Sequence, residues 1–228
     1  MRLPDAVLTC IETLQKAGYQ GYAVGGCVRD WLCGLTPKDY DVTTSATPQQ
    51  VTALFPRVVP TGLKYGTVTV LFGEEPVEVT TFRAEGGYSD GRRPDQVRLI
   101  DNLTEDLARR DLTINAMAFS PAAGLIDPFG GERDIRRGVI RAVGNPAVRF
   151  EEDRLRILRA FRFAATLGYR LHPDTLKAAL QKAEGLSSVS AERVTGELMR
   201  TLTGPFPSRL RPLVESGRLL PWGIRPVS

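Results

Sequence analysis

Hydrophobic and polar positions divide the chain into a first part that mixes helices with strands and a second part that is helical. Apolar residues recur at helical spacing after Pro4, which predicts an amphipathic first helix. Short strands are predicted at 22–24 and 40–43. Alternating residues at 67–72 and 77–82 predict a β-hairpin. This part is therefore expected to form a compact α/β domain with a small mixed sheet.

Helix signals account for most of the remaining pattern. A helix is predicted at 28–35, and Thr47-Pro48 is a start signal for another helix that runs to about Phe55. Strand signals disappear after about residue 151, and helices are predicted at 151–167, 173–182, 190–202 and 208–216. The predicted fold class is α+β, a mixed head followed by an all-helical neck. The predicted domains are 1–140, 141–205 and a short helical segment at 206–228.

The stretch from Arg83 to Arg98 has a different composition, with three glycines, one proline, several charges and almost no aliphatic residues. It is predicted to be a mobile loop. Loops of this length inside compact domains are usually functional or disordered.

Composition limits the classes of function. The chain has 228 residues, 42% hydrophobic and 25% charged, which is typical of a globular protein. No signal peptide and no apolar run of membrane-spanning length is present, so a cytoplasmic location without membrane contact is expected. Cys10, Cys27 and Cys33 are odd in number and lack metal-site spacing, and no chemistry is assigned to them.

Arginine dominates the basic residues, because only five of the 30 are lysine. Guanidinium groups bind phosphates and base edges through paired hydrogen bonds, so the bias suggests phosphate-rich partners. A high genomic GC content is the alternative explanation. Between Arg133 and Arg162 arginines outnumber acidic residues, and such a local excess favours a nucleic acid or nucleotide partner.

A double glycine, Gly25-Gly26, follows the first predicted strand and precedes a helix. Backbone N–H groups at such a turn can approach an anion, and Arg29 in the first helical turn can bind the same phosphates. The alternative is ordinary turn chemistry.

Two acids, Asp39 and Asp41, stand at the start of the next predicted strand, so both carboxylates should share one face with Tyr40 on the other. Neighbouring carboxylates repel each other unless a cation lies between them, and magnesium prefers such oxygen ligands. Glu78, in the middle of a hairpin strand, is a candidate third carboxylate. The alternatives are a solvated turn for the pair and a surface position for Glu78.

Arg110, Asp111 and Asn115 form a second cluster that could bind a ribose and phosphates. Asp111 could equally well neutralise the neighbouring arginines.

A third cluster is predicted on the helix at 151–167. Glu152, Arg156 and Arg159 are spaced i, i+4 and i+7, and Asp153 precedes Arg156 by three residues. This polar stripe lies on a helix that is otherwise apolar, so it is expected to face a wet cleft or a ligand. An aspartate and an arginine together supply the acceptor and donors that recognise a base edge. Ordinary salt bridging within the helix is the alternative.

Four signatures occur in one order along the chain: GGCVRD, DYD, RRDLTINAM and EDRLRILR. In this order they resemble class II tRNA nucleotidyltransferases, the CCA-adding enzymes, and the related bacterial poly(A) polymerases. The resemblance covers about residues 20 to 200 and includes EVTTFR, DPFGG and SAERV.

The resemblance implies a polymerase-β-like nucleotidyltransferase head followed by a helical neck. It implies that two Mg²⁺ ions, or Mn²⁺ as an alternative, are bound by Asp39 and Asp41, and that these two residues and Glu78, close to them, are the catalytic acids. It implies that the triphosphate is bound by Gly25, Gly26 and Arg29, and that the sugar and phosphates contact Arg110, Asp111 and Asn115. It also implies an amino-acid template for the base, made of Glu152, Asp153 and Arg156, with Arg159 grouped among the nucleotide-binding residues.

The function implied is addition of CMP and AMP, from CTP and ATP, to the 3′ end of tRNA. The retained segment after EVTTFR indicates ATP use, and the absence of a basic signature after the neck favours tRNA over messenger RNA. Adenylate addition of the poly(A) polymerase type, a small-molecule nucleotidyltransferase and an inactive RNA- or nucleotide-binding module stay open. Family members usually continue into further helical domains, so a truncated chain, a minimal enzyme and half of a split pair are all expected alternatives. The oligomeric state is open.

Overall fold

A computed structural model describes residues 1–87 and 96–225. The chain forms two compact units. The first contains Met1–Glu85, Gln96–Arg110 and Ile114–Glu132, and the second contains Asp111–Thr113 and the chain from Arg133 onward. The predicted domain boundaries at 140/141 and 205/206 stay a prediction.

The first unit is built on a seven-stranded mixed sheet with the strand order β3-β4-β5-β2-β1-β8-β9. Its strands are β1 (Gly21–Val24), β2 (Asp41–Thr44), β3 (Val58–Gly62), β4 (Thr67–Phe72), β5 (Glu75–Thr81), β8 (Ala118–Ser120) and β9 (Gly124–Ile126). Only β2 and β5 pair in parallel among these strands; the others pair antiparallel. Its helices are α1 (Asp5–Lys16), α2 (Gly26–Leu32), α3 (Pro48–Leu54) and α4 (Leu103–Ala108).

Local sequence signals explain several of these elements. Thr47 and Gln50 form a capping box at the start of α3, and Pro48 occupies the first turn, where its missing N–H has no cost. In β5, Val77 and Val79 are buried while Glu78 is exposed, as the alternating pattern predicts. Ile11 and Leu14 of α1 and Val42 of β2 are fully buried in the core. The predicted hairpin at 67–72 and 77–82 is confirmed.

The two ends of the segment predicted as a loop form strands. Strands β6 (Arg83–Gly86) and β7 (Gln96–Leu99) pair in a separate two-stranded sheet, so the prediction of a loop throughout 83–98 is wrong. Arg83 and Glu85 are held by ion pairs, which explains why a stretch of low aliphatic content is ordered here. The motif Arg92-Arg93-Pro94 lies outside the described residues.

The second unit is mainly helical. Its elements are α5 (Gly131–Arg136), which begins two residues before the unit's boundary, β10 (Val139–Ile140), α6 (Pro146–Glu152), α7 (Leu155–Leu167), β11 (Arg170–Leu171), α8 (Pro173–Lys182), α9 (Ala191–Leu202) and α10 (Arg211–Glu215). The short parallel pair β10–β11 was not predicted from the pattern. Phe150, Ile157 and Phe161 are fully buried in the core of this unit.

The helix predicted at 151–167 is two helices, so the prediction of one continuous helix is wrong. Asp153 has an extended backbone (φ −138°, ψ 108°), and its Oδ1 accepts a hydrogen bond from the backbone N–H of Leu155 at 3.0 Å. An aspartate side chain that captures a nearby backbone N–H competes with helix continuation. The chain therefore breaks between α6 and α7, and the polar residues do not form one stripe at i, i+4 and i+7.

Within the parts of the chain that the structure describes, we find no helix that combines the length and the hydropathy needed to cross a bilayer.

Candidate active site

An acidic cavity lies against the interior strands β4, β5 and β2 of the large sheet in the first unit. Its volume is about 580 Å³, and Asp39, Asp41 and Glu78 are among the residues that line it. Asp41 is the first residue of β2, and it is the register partner of Glu78 in the parallel strand β5. Residues paired in this way point to the same face of a sheet. The cavity therefore brings together the three acids that were predicted as catalytic.

Part of the geometric prediction for this site does not hold. The strand β2 begins at Asp41, so Asp39 and Tyr40 precede it and do not follow the period of two. Tyr40 lines the same cavity as the two aspartates, and its predicted position on the opposite face stays a prediction.

Two carboxyl groups of the cavity, those of Asp41 and Glu78, have a raised pKa. The pKa of Asp41 is raised first because partial burial removes water from its carboxylate, although the residue keeps contact with solvent. Repulsion from the negative charge of Asp39 adds to the rise. The positive charge of Arg110 opposes it. The pKa of Glu78 is raised by the same loss of hydration and by the negative charge of Asp41. A cation in this cavity would relieve the repulsion that these shifts report.

The donor set fits a divalent cation with oxygen ligands. Within residues 1–87 and 96–225, no three side chains of His, Cys, Asp or Glu form a preformed metal cage. The protein offers a pair of carboxylates, and magnesium commonly keeps only one or two of these and completes its shell with water and phosphate oxygens. Asp39 and Asp41 are the residues that would hold it.

The glycine turn lies beside two arginines. Gly25 has φ +78°, and a Cβ atom at this position would be 2.9 Å from Nη1 of Arg110. Arg29 in α2 donates to Oδ1 of Asn115 at 2.6 Å and to Oδ1 of Asp30 at 2.8 Å. Because the charge of Arg110 also acts on Asp41, this arginine connects the turn with the acidic cavity. Gly25, Arg29, Arg110 and Asn115 thus lie together in the first unit, as predicted for a phosphate-binding region.

Asp111 lies in the second unit and binds another predicted residue. Its Oδ2 accepts hydrogen bonds from Nε and Nη2 of Arg159, both at 2.7 Å. Its Oδ1 accepts from the backbone N–H of Leu112 at 2.8 Å. The negative charge of Asp111 raises the pKa of Arg159 above its ordinary value. Arg159 was predicted to share a stripe with Glu152 and Arg156, and it is paired with Asp111 instead.

The remaining predicted residues meet at the break between α6 and α7. Oε2 of Glu152 accepts from Nη1 of Arg156 at 2.6 Å and from Nη1 of Arg149 at 2.8 Å. Arg156 is buried, so its guanidinium has little freedom to move. Asp153 lies between them in the chain, and its Oδ2 is 3.2 Å from Nη2 of Arg193.

Asp106, which the sequence analysis missed, is the centre of an ion-pair network. It is fully buried, and its Oδ1 accepts from Nε of Arg109 at 3.0 Å and from the backbone N–H of Arg83 at 3.2 Å. Its Oδ2 lies 3.7 Å from Nη2 of Arg110. The i+3 and i+4 spacing of Asp106 to the two arginines was the signal that could have identified it.

A mixed sheet that carries an acidic pair at one of its interior strands, together with a glycine turn beside two arginines, defines a polymerase-β-like nucleotidyltransferase head. The sequence model of the family described as Poly A polymerase head domain matches residues 21–141. The chain belongs to this family. A second family model, described as probable RNA and SrmB- binding site of polymerase A, matches residues 168–221. The family recognised from the four signatures is confirmed. It is a family of metal-dependent nucleotidyltransferases.

Several curated relatives and solved structures that are similar to this chain are CCA-adding enzymes. A CCA-adding enzyme of Geobacillus stearothermophilus is 47% identical over 207 residues, which is 91% of this chain and 51% of that protein. The crystal structure of the Bacillus stearothermophilus CCA-adding enzyme in complex with CTP superposes with a TM-score of 0.86 at 44% identity, covering 96% of this chain and 53% of that one. A complex of a CCA-adding enzyme with ATP has a TM-score of 0.75 at 28% identity, covering 94% and 51%. This chain spans about half the length of the curated relatives it matches.

Proposed function

We propose that this chain carries the catalytic head and the nucleotide-selecting neck of a CCA-adding enzyme. Its reaction would add CMP and AMP, from CTP and ATP, to the 3′ end of a tRNA. The observation that carries this proposal is the cavity in which Asp39 and Asp41 lie together, with the charge of Arg110 acting on Asp41. The names of the relatives and the matched RNA-binding model support RNA as the substrate. The cytoplasmic location stays a prediction.

The cofactor would be two Mg²⁺ ions, or Mn²⁺, held by Asp39 and Asp41. When bound, such ions neutralise the charge of the triphosphate and of the attacking oxygen. Glu78, beside Asp41 on the neighbouring strand, would add negative charge close to the bound ions.

The reaction joins the terminal 3′ oxygen of the RNA to the α-phosphorus of the nucleotide. The hydroxyl gives up its proton to solvent water, the bond from the α-phosphorus to the bridging oxygen breaks, and pyrophosphate leaves with the electron pair of that bond. Arg29 and the turn at Gly25 and Gly26 would hold the triphosphate for this displacement. Arg110 and Asn115 would contact the sugar and phosphates, and Asp111 would act with them. Positioning and charge neutralisation supply most of the acceleration in such transfers.

Selection of the base would depend on the cluster in the second unit. Cytosine and adenine each present an exocyclic amino group, whereas uracil and guanine present a carbonyl oxygen at the corresponding position. The Asp153 carboxylate, which only accepts hydrogen bonds when ionised, would favour the amino group and repel the carbonyl. Arg156 would donate to the ring acceptors, and its pairing with Glu152 at 2.6 Å supports a fixed orientation for it. Arg159 would contribute through Asp111.

The test is incorporation of radiolabelled CTP and ATP, with magnesium, into tRNA that lacks its CCA end. We expect both nucleotides to be incorporated, CTP first, because the selective pocket needs no nucleic-acid template. Transfer to small molecules but not to tRNA would favour a small-molecule nucleotidyltransferase. Retardation of tRNA on a gel without incorporation would identify an inactive binding module.

Gly25→Ala is expected to lower kcat/KM for incorporation by about tenfold or more, because its Cβ would displace Arg110. The positive φ of Gly25 adds a backbone strain of about 1–3 kcal/mol. Gly73→Ala is the matched control, since Gly73 also has a positive φ (+65°) but a Cβ there meets nothing within 4 Å. Both variants should unfold at a lower urea concentration than the parent chain does. Only Gly25→Ala should also lower kcat/KM for incorporation. Equal kinetic losses in the two variants would contradict the role of this turn.

A further inference from the structure

Helix α9 is attached to the preceding helical region by two ion pairs on one face. Glu197, which is buried, accepts from Nε of Arg162 in α7 at 2.6 Å. Arg193 donates from Nη2 to Oδ2 of Asp153 at 3.2 Å. Arg193 and Glu197 are four residues apart, so they lie one above the other on the same side of α9. The packing of α9 on α7 therefore fixes where the Arg193 guanidinium is presented.

The orientation of the Asp153 carboxylate depends on its side-chain contacts. It lies outside both helices, at the break between α6 and α7, so helical backbone geometry does not fix its side chain. Two contacts orient the carboxylate: the Leu155 backbone N–H binds Oδ1 at 3.0 Å, and Arg193 binds Oδ2. Each carboxylate oxygen has two acceptor positions, so these contacts leave capacity for a further donor.

We propose that Arg193 is a specificity-determining positioning residue, which holds the Asp153 carboxylate in the orientation that accepts the amino group of cytosine or adenine. This inference rests on the proposed function, in which Asp153 reads the base. Without Arg193, the Leu155 contact would hold only Oδ1, and the carboxylate could turn about that point. Both Arg193 and Asp153 are mostly shielded from solvent, with side chains 22% and 15% exposed. Their contact is therefore less screened than an exposed ion pair.

The experiment measures equilibrium binding of CTP, ATP, UTP and GTP to the full chain by calorimetry, with magnesium present. The variants are Arg193→Gln, Arg193→Lys and, as the matched control on the same helix, Arg200→Gln. The Arg200 side chain is 66% exposed and pairs with Glu197, not with Asp153. The readout is the ratio of affinities for CTP and ATP over UTP and GTP. A misfolded fraction lowers the binding of all four nucleotides equally and leaves this ratio unchanged.

We expect Arg193→Gln to reduce this ratio by about tenfold, the size of one base-reading contact. Arg193→Lys should recover part of the loss because it keeps a cation, and Arg200→Gln should match the parent chain. If the parent chain selects CTP and ATP and Arg193→Gln selects them equally well, the role of Arg193 is refuted while the proposed function stands. If the parent chain binds all four nucleotides alike, the selective pocket itself is refuted, and the inference with it.

Discussion

Asp41→Ala is expected to lower kcat for nucleotide incorporation by about a thousandfold, with the Kd for CTP changed much less. Asp41 begins β2 and lines the acidic cavity with Asp39, and the pair is the donor set proposed for the divalent cations. Loss of one carboxylate removes a negative charge that would hold the divalent cations at the place where pyrophosphate is displaced. The base and phosphates would still be bound by other residues. Single-turnover incorporation and calorimetry with CTP measure the two quantities separately.

Asp41→Asn tests charge apart from shape and should lose nearly as much activity as Asp41→Ala. Glu74→Gln is the control, because Glu74 is an exposed acid in the turn of the hairpin that carries Glu78. It should keep kcat within about twofold, as expected for a surface substitution. An Asp41→Asn variant with more than a tenth of the parent activity would refute the assignment of this carboxylate.

Asp106→Ala is expected to lower the free energy of unfolding by about 3–5 kcal/mol. Asp106 is fully buried and accepts from Arg109, from the backbone of Arg83 and, at 3.3 Å, from the Thr43 hydroxyl. Removing one partner of a buried network leaves cations without the charge that offsets their loss of hydration. Urea unfolding followed by circular dichroism measures the loss.

Glu105→Ala is the neighbouring control for that measurement. The Glu105 side chain is 55% exposed and lies 4.0 Å from its ion-pair partner, Arg98. Exposed pairs of this kind contribute about 0–1 kcal/mol, so the control should unfold nearly as the parent does. A loss of less than about 1 kcal/mol in Asp106→Ala would show that the network is unimportant for stability.

Elements with strong local signals were predictable from the sequence. The capping box of α3 and the alternation in β4 and β5 determine their structures through contacts between residues close in the chain. The motif order also identified the family. For the candidate site, sequence analysis predicted that Asp39, Asp41 and Glu78 come together, and the cavity contains all three.

The errors arose where a side chain or a distant contact overrides the local pattern. Asp153 ends a helix by capturing the N–H of Leu155, which periodicity alone does not reveal. Strand β6 is stabilised by ion pairs of Glu85 with Arg83 and Arg109, and the latter lies 24 residues away. Asp111 pairs with Arg159, 48 residues away, and a contact over that distance has no signal in the local sequence.

The most direct test of the account is the sequence of the 3′ ends made from tRNA lacking CCA when all four nucleotides are supplied together. A pocket that accepts amino groups through Asp153 and donates through Arg156 predicts products that end in CCA and exclude UMP and GMP. Ends that carry A alone or an oligo(A) tail would contradict the proposed specificity. Ends that contain all four bases would contradict selection by this pocket altogether.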